Sequence, residues 1–326
     1  MVLSIFNSEK RPLLTLLVVA GGVLVIVVLN LILFLANVHS GIELLEEKRF
    51  YRDKILPRQK YDLVFLGDSR CLIAMDPTHF EKVLGLKAYN CSFAAGGLTR
   101  EIFLHVEKKV LNLEKGREKI IVLGITHRSL TETARANPLF HQSLQESRMA
   151  GSSWSEMSDL LFRRIKSRDV KSLFKKKKPH KFYHKNGWME VTSEPREKSQ
   201  RRNLESFRIF FKKAVPSRKS VEEICCAVAD WRKKGIRVFA FRPPTMPAMD
   251  ALEDEEGKCN MGELRRHIER AGGIWLEAED RNKYTAYDAS HLNSREAAVL
   301  SGEFAEKIKN CLRQKTSSFS VNKGKQ

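Results

Sequence analysis

The sequence lacks the residue spacings that build several common functional sites. Its six cysteines show no C-x-x-C spacing and no pairing with histidines, which argues against a structural zinc site. Neither Gly21-Gly22 nor Gly96-Gly97 has the spacing of a glycine-rich phosphate-binding loop. We therefore expect no metal and no other cofactor.

Acidic residues are also few. The chain has 39 Asp and Glu against 58 Lys and Arg, which gives a formal net charge of +19. This excess of positive charge favours anionic partners, such as a lipid surface, an acidic polysaccharide or nucleic acid. Hydrophobic residues make up 42% of the chain, which is typical of a folded protein rather than a disordered one.

Near the N-terminus the sequence contains one long uncharged run, at residues 13–36. At about 1.5 Å per residue, this run is long enough to cross a hydrocarbon core of about 30 Å as a helix. Lys10 and Arg11 precede it, and the first charged residues that follow are acidic, which favours a cytoplasmic N-terminus. We therefore predict a short basic N-terminus at 1–12, a single-pass anchor in the cell (inner) membrane, a helical stalk at 37–58 and an extracytoplasmic domain.

Five short apolar segments have the pattern of buried parallel strands. They lie at residues 61–67, 87–92, 119–124, 236–242 and 273–277. Helical segments are predicted between them, from Asp76-Pro77 onward and at residues 98–113, 220–234, 262–271 and 293–311. Alternating strands and helices predict an α/β fold with a parallel sheet covered on both faces. The active sites of such sheets lie at the carboxyl ends of the strands.

A long basic insertion separates the third and fourth predicted strands, at about residues 131–215. Between residues 163 and 185 the insertion has many basic residues and a single acid, Asp169. The basic residues are Arg163, Arg164, Lys166, Arg168, Lys171, Lys175, Lys176, Lys177, Lys178, Lys181 and Lys185. The insertion is either a solvated, partly disordered segment or a contact for an anionic surface such as lipid headgroups. No nucleic-acid-binding motif accompanies it, so we do not expect nucleic acid as a partner.

The first predicted strand is followed directly by Gly-Asp-Ser, which ends at Ser69. A serine hydroxyl becomes nucleophilic when a base accepts its proton and a third group orients that base. Asp288 and His291 supply both groups in Asp-Ala-Ser-His, after the last strand and before the last helix. Two alternatives stay open: Asp68 and Ser69 form only a turn or helix cap, or His127 rather than His291 is the base.

With these motifs the chain resembles the SGNH (GDSL-like) hydrolase family, in particular its single-pass bacterial members linked to cell-surface polysaccharide acylation. The resemblance covers about residues 60–130 and 220–310. Three blocks carry it: Gly67-Asp68-Ser69, YNCSFAAGG at residues 89–97, and DASHLN at residues 288–293. It implies a domain at 59–312 that folds as a three-layer αβα sandwich around a five-stranded, flavodoxin-like sheet. The tail at 313–326 is expected to be disordered.

The same resemblance implies donors for an oxyanion: the backbone amides of Ser69 and of Gly96 or Gly97. The family usually has an asparagine as a third donor after the third strand, and in this chain Thr126 or His127 occupies that place. Losing such a donor typically slows an enzyme by about 10²–10³-fold. Three further side chains are candidates for binding the substrate, with structural ion pairs as the alternative for the arginines: Arg70, Asn90 and Arg242.

These features together predict a membrane-anchored serine esterase or O-acyltransferase. Its substrates would be acyl esters, in particular acetyl esters, of a cell-surface glycan or lipid, and a membrane-bound protein could supply the acyl group. The alternative is a catalytically weak or inactive protein of the same fold that serves as a binding or assembly factor for an anionic polymer or a membrane surface.

Overall fold

The computed structural model describes residues 10–149 and 181–321, with side chains described for residues 15–32, 46–148 and 181–314. The chain divides into two compact units. The first consists of residues 1–47 and 150–178, and the second of residues 48–149 and 179–326. Most of the predicted basic run lies outside the described residues, and only Lys181 and Lys185 of that run fall within them.

The first unit contains most of helix α1 (Lys10–Ile55). Its segment Thr15–Ile32 has a mean hydropathy of 2.8 and buries none of its surface within the protein. The amide of Asn30 donates to the carbonyl of Ile26 at 2.8 Å, so this polar side chain is satisfied within its own helix. By length and composition the helix can cross a membrane, as predicted.

The second unit begins at Lys48, within the segment that we predicted to be a stalk. The last residues of α1 belong to its core, because Phe50, Tyr51 and Ile55 are all buried. The segment predicted as a stalk, residues 37–58, therefore overlaps the start of this unit. The end of α1 is part of the globular unit rather than a spacer before it.

Five parallel strands form the sheet of the second unit, and two antiparallel strands form a separate hairpin. The seven strands are β1 (Leu63–Gly67), β2 (Ala88–Asn90), β3 (Ile120–Gly124), β4 (Lys181–Tyr183), β5 (Met189–Val191), β6 (Arg237–Phe241) and β7 (Ile274–Trp275). The sheet order is β2-β1-β3-β6-β7, which is the flavodoxin-like order. All five predicted sheet strands are present, each shorter than its apolar run. β1 and β3 are buried along their whole length, which explains why their sequences are continuously apolar.

Within residues 10–149 and 181–321, ten further helices pack around this sheet or connect its strands. They are α2 (Ser69–Ala74), α3 (Pro77–Leu84), α4 (Arg100–His105), α5 (Glu132–Arg135), α6 (Leu139–Met149), α7 (Glu197–Lys213), α8 (Arg218–Lys233), α9 (Pro247–Glu256), α10 (Met261–Arg270) and α11 (Ser294–Val321). The helix predicted at 98–113 is α4 followed by a π-helical turn, Val106–Val110. The last helix reaches Val321, so it includes residues 313–321, where we expected a disordered tail.

Alternate residues of the central strands point to opposite faces of the sheet, as the period of a strand requires. Val64 and Leu66 pack in one core with Trp231 of α8, whereas Leu63 and Phe65 pack in a second core with side chains of α11. The sheet is therefore covered on both faces, which confirms the predicted three-layer αβα sandwich.

The described part of the insertion is built from defined elements rather than from irregular chain. The β4–β5 hairpin covers the edge of the sheet at β2, where the amide of Asn90 donates to the carbonyl of Asn186 at 2.9 Å. Gly187 follows with a φ of +81°, and a β-carbon there would lie 2.1 Å from the carbonyl oxygen of Asn90. This turn therefore requires glycine, and the hairpin closes an edge that would otherwise be open to pairing.

Candidate functional site

Ser69 is the first residue of α2 and lies directly after β1, at the carboxyl end of the sheet. Asp68 caps this helix, because one of its carboxylate oxygens accepts the amide of Arg70 at 3.0 Å. The other oxygen accepts the hydroxyl of Thr126 at 2.5 Å. Asp68 is thus a helix cap, as one alternative held, and the cap fixes the start of the helix that carries Ser69.

The structure brings the three predicted triad residues together. The hydroxyl of Ser69 lies 2.8 Å from Nε2 of His291, although the two residues are 222 positions apart in the chain. Nδ1 of His291 lies 3.0 Å from one carboxylate oxygen of Asp288 and 3.2 Å from the other. The side chains of Asp288 and His291 are mostly buried but keep some solvent contact. This is the order of contacts that a nucleophile, a base and an orienting carboxylate need.

The loop that carries Asp288 and His291 is held in shape by its own short-range hydrogen bonds. One carboxylate oxygen of Asp288 accepts the amides of Ser290 at 3.0 Å and His291 at 2.9 Å. The amide of Tyr287 donates to the carbonyl of His291 at 2.9 Å, which closes the loop. Ala289, fully buried, has a φ of +74°, a conformation that costs a residue with a β-carbon about 1–3 kcal/mol. The surrounding contacts must offset that cost.

The charge state of Asp288 follows from the same contacts. Burial raises the pKa of Asp288. The charge of His291 and the hydrogen bonds from His291 and Ser290 lower this pKa by a larger amount, so the net pKa is below its usual range. The carboxylate is therefore ionised at neutral pH and accepts the Nδ1 proton of His291. That leaves Nε2 as an acceptor facing the Ser69 hydroxyl.

Helix α7, from the basic insertion, supports this loop from outside. The amide of Asn203 donates to the carbonyl of Asp288 at 2.8 Å, and Gln200 donates to the carbonyl of Ala286 at 2.9 Å. Phe207 and Phe211 pack in a small core that also contains Ala289. Sequence analysis missed this role, although the spacing of Phe207 and Phe211 is the i, i+4 signal of a helix with one buried face.

Arg70 links α2, the helix that begins at Ser69, to the same loop. Its Nε donates to the hydroxyl of Ser290 at 2.9 Å, and its two terminal nitrogens donate to Glu253 at 2.6 and 3.1 Å. Arg70 and Glu253 are 3% and 0% exposed. Burial raises the pKa of Glu253, but the charge and hydrogen bonds of Arg70 and the nearby His127 lower it by more, so the net pKa is well below its usual range. Both partners of this ion pair are thus charged, and the guanidinium of Arg70 binds groups of the protein itself.

Arg242 and Asn90, the other candidates for substrate binding, also make contacts within the protein. Arg242 donates to Asp254 at 2.7 Å and to Glu253 at 3.2 Å. Asn90 is fully buried, and its side-chain amide donates to three carbonyls that follow Ser69, the nearest being that of Met75 at 2.8 Å. Arg70 and Arg242 thus form structural ion pairs, which was the alternative to substrate binding. Asn90 holds the α2 segment in place.

The two glycines of the second block have their amides engaged elsewhere. The amide of Gly96 donates to the carbonyl of Phe93 at 3.1 Å, and that of Gly97 to the carbonyl of Ala134 at 2.9 Å. The preceding residue, Ala95, has a φ of +53°, so this loop also holds a residue in the left-handed region. The amide of Ser69, at the first position of α2, is one of the donors that a helix leaves without an intrahelical partner.

Thr126 and His127 are also committed to other groups. Thr126 is fully buried and gives its hydroxyl hydrogen to Asp68. His127 is 1% exposed, with Nε2 3.2 Å from the carbonyl of Cys259 and Nδ1 3.4 Å from Glu253. Its ring therefore contacts the ion pair of Arg70 and Glu253, and Ser69 contacts His291 instead. Of the two candidate bases, the structure places His291 at the serine.

Lys54, near the end of α1, holds the backbone beside the second block. Its ammonium group donates to the carbonyls of Asn90 at 2.8 Å, Ser92 at 3.0 Å and Gly187 at 2.5 Å. The side chain is 1% exposed, and burial lowers the pKa of Lys54 to about 7. Sequence analysis placed this lysine in a stalk, because nothing in the local sequence signals its distant carbonyl partners.

Compared with known proteins, the chain matches no known family and no curated protein. The resemblance to SGNH hydrolases therefore remains a prediction from the order of three motifs. Among the side chains that the structure describes, no cluster of His, Cys, Asp or Glu is arranged to hold a metal ion.

Proposed function

We propose that the chain is a membrane-anchored serine esterase or O-acyltransferase of the SGNH type, with Ser69, His291 and Asp288 as its triad. The observation that carries this proposal is the continuous line of contacts from Ser69 through His291 to Asp288 at the carboxyl end of the sheet. Such a line needs side chains from both ends of the globular unit, and a helix cap alone would not require it.

In the proposed mechanism, His291 takes the proton of Ser69 through Nε2 while the serine oxygen attacks the carbonyl carbon of an ester. The bond from that carbon to the alcohol oxygen breaks, and the protonated His291 returns the proton to the leaving alcohol. An acyl-serine remains. Water or a sugar hydroxyl then attacks it, with His291 again as the base, and Ser69 is restored. The amide of Ser69 donates to the oxyanion in both steps.

The substrate class that we propose is an acyl ester, in particular an acetyl ester, of a cell-surface glycan or lipid. The apolar segment Thr15–Ile32 would anchor the protein once in the inner membrane. Lys10 and Arg11 before it would keep the N-terminus in the cytoplasm and the globular unit outside. A membrane-bound partner would supply the acyl group if the reaction is a transfer.

Covalent labelling tests the proposed nucleophile. A fluorophosphonate probe should label the full-length protein, and Ser69→Ala should abolish the labelling. Ser206→Ala, which alters an exposed serine on α7, is the matched control and should label like the wild type. Equal labelling of Ser69→Ala and the wild type would reject the nucleophile.

A second candidate function is a non-catalytic binding or assembly factor with the same fold. The engaged amides of Gly96 and Gly97, and the Thr126 hydroxyl that donates to Asp68, favour this candidate. Hydrolysis of p-nitrophenyl acetate separates the two candidates. A wild type that is no faster than Ser69→Ala would favour the assembly factor, whereas a serine-dependent turnover would favour the enzyme.

A further inference from the structure

The outer surface of α7 and the residues after it form a strongly basic region. Between residues 196 and 219 the sequence has nine Lys and Arg against two acids, Glu197 and Glu205. Both acids already have arginine partners, Arg201 and Arg208 respectively. We define the basic face as the exposed residues Arg202, Ile209, Lys212, Lys213 and Val215.

The first four of these residues share one side of the helix, and Val215 lies two residues after its end. Ile209 is seven residues after Arg202 and three and four residues before Lys212 and Lys213, which are the spacings of one helical face. Ile209 is 52% exposed and Val215 is 61% exposed. Among the described side chains, no carboxylate forms an ion pair with any of the three cations of this face. Of the charged residues three or four positions from Ile209, Lys212 and Lys213 thus have no acidic partner, and Glu205 pairs with Arg208.

The opposite side of α7 is fixed to the globular unit. Phe207 and Phe211 are buried, and Asn203 donates to the carbonyl of Asp288. The helix is thus fixed on one side, and the five residues of the basic face are exposed. A fixed helix with cations around exposed apolar side chains has the composition of a helix that lies in a membrane interface.

Val299, on α11, is a useful comparison because it is 49% exposed and is also on a helix. Its neighbours three and four positions away include Glu296 and Glu303 as well as Arg295. An exposed valine in mixed charge is an ordinary feature of a protein surface. At the same spacings Ile209 has two lysines and one acid, Glu205, so its neighbourhood carries net positive charge where that of Val299 carries net negative charge.

We propose that the basic face of α7 docks on the headgroups of anionic lipids, with Ile209 and Val215 entering between them. A bilayer fits better than a soluble anionic polymer because it offers apolar surface directly beneath its negative charge. The candidate span in the same chain would also keep a bilayer at high effective concentration. This inference is independent of the proposed catalytic activity.

The test uses the full-length protein in lipid nanodiscs, with the photo-crosslinking residue p-benzoylphenylalanine in place of Ile209. Nanodiscs contain either phosphatidylcholine alone or phosphatidylcholine mixed with phosphatidylglycerol. Mass spectrometry then measures the lipid adducts at the labelled position. The matched control carries the same residue in place of Val299.

Position 209 should form lipid adducts in the anionic nanodiscs, with much lower yields in neutral nanodiscs or at position 299. Because each basic side chain near an anionic surface strengthens binding about fivefold, Lys212→Glu with Lys213→Glu should lower the yield by about tenfold or more. Lys212→Arg with Lys213→Arg should preserve it. Equal yields in neutral and anionic nanodiscs, equal yields at the two positions, or no adduct at position 209 would overturn the proposal.

Discussion

Ser69 is in contact with the loop that carries Asp288 and His291, whereas the segments expected to bind the oxyanion make their contacts elsewhere. The loop geometry depends on hydrogen bonds within a few residues, since Asp288 accepts the amides of Ser290 and His291. The amide of Gly97 instead donates to Ala134, a residue from a different part of the chain. The comparison shows that the loop is shaped by contacts within its own motif and supported by α7, whereas the second block holds one amide locally, at Gly96, and the other through distant packing, at Gly97.

The proposed role of His291 as the base can be tested by substitution. His291→Gln should lower the turnover of p-nitrophenyl acetate by about 10⁴-fold, because it removes the acceptor of the serine proton. His141→Gln is the control, since His141 is 60% exposed and pairs with Glu101, and it should leave turnover unchanged. A loss of less than about tenfold in His291→Gln would contradict the assigned base.

The support beneath the base loop can be tested at Glu253. Glu253→Gln leaves the buried guanidinium of Arg70 without its counter-ion, which typically costs about 3–5 kcal/mol of the free energy of unfolding. Denaturant titration measures this loss. The control is Glu205→Gln, which removes an exposed pair with Arg208 and should cost about 1 kcal/mol or less. Equal effects of the two substitutions would mean that the buried pair contributes no more to the free energy of unfolding than the exposed pair does.

A substitution at Thr126 can test whether this residue contributes to oxyanion binding. Thr126→Val removes the hydroxyl that donates to Asp68, so the buried carboxylate loses a partner, at a cost of about 1–3 kcal/mol in the free energy of unfolding. If Thr126 serves only Asp68, kcat should fall by less than the roughly 10²–10³-fold that an oxyanion donor supplies. Thermal unfolding and kcat measured on the same variant separate the two roles. A loss of kcat of about 10²-fold or more would instead indicate that Thr126 donates to the oxyanion.

Local sequence patterns were enough to predict the sheet and the residues that meet at Ser69, namely His291 and, behind it, Asp288. The apolar run before Ser69 marked β1, and Asp-Ala-Ser-His marked the loop that carries His291. The residues that sequence analysis missed act through distant partners. Glu253 meets Arg70 across 183 positions, and Lys54 meets Gly187 across 133. Such contacts exist only once the chain has folded, and no spacing in one sequence encodes them.

Lys54 allows a test of the residues that hold the backbone of the second block. Folded Lys54 releases its proton near pH 7, whereas an unfolded lysine keeps it to about pH 10.5. Between these values the unfolded chain binds more protons, so this residue makes the free energy of unfolding rise with pH, by at most about 1.4 kcal/mol per pH unit. In Lys54→Met that contribution should vanish, and the curve of stability against pH should be flatter than in the wild type over this window. Lys87→Met is the control: Lys87 is exposed and donates to the side-chain oxygen of Gln59. Parallel curves for wild type and Lys54→Met would show that Lys54 keeps its proton in the fold, held by the carbonyls of Asn90, Ser92 and Gly187.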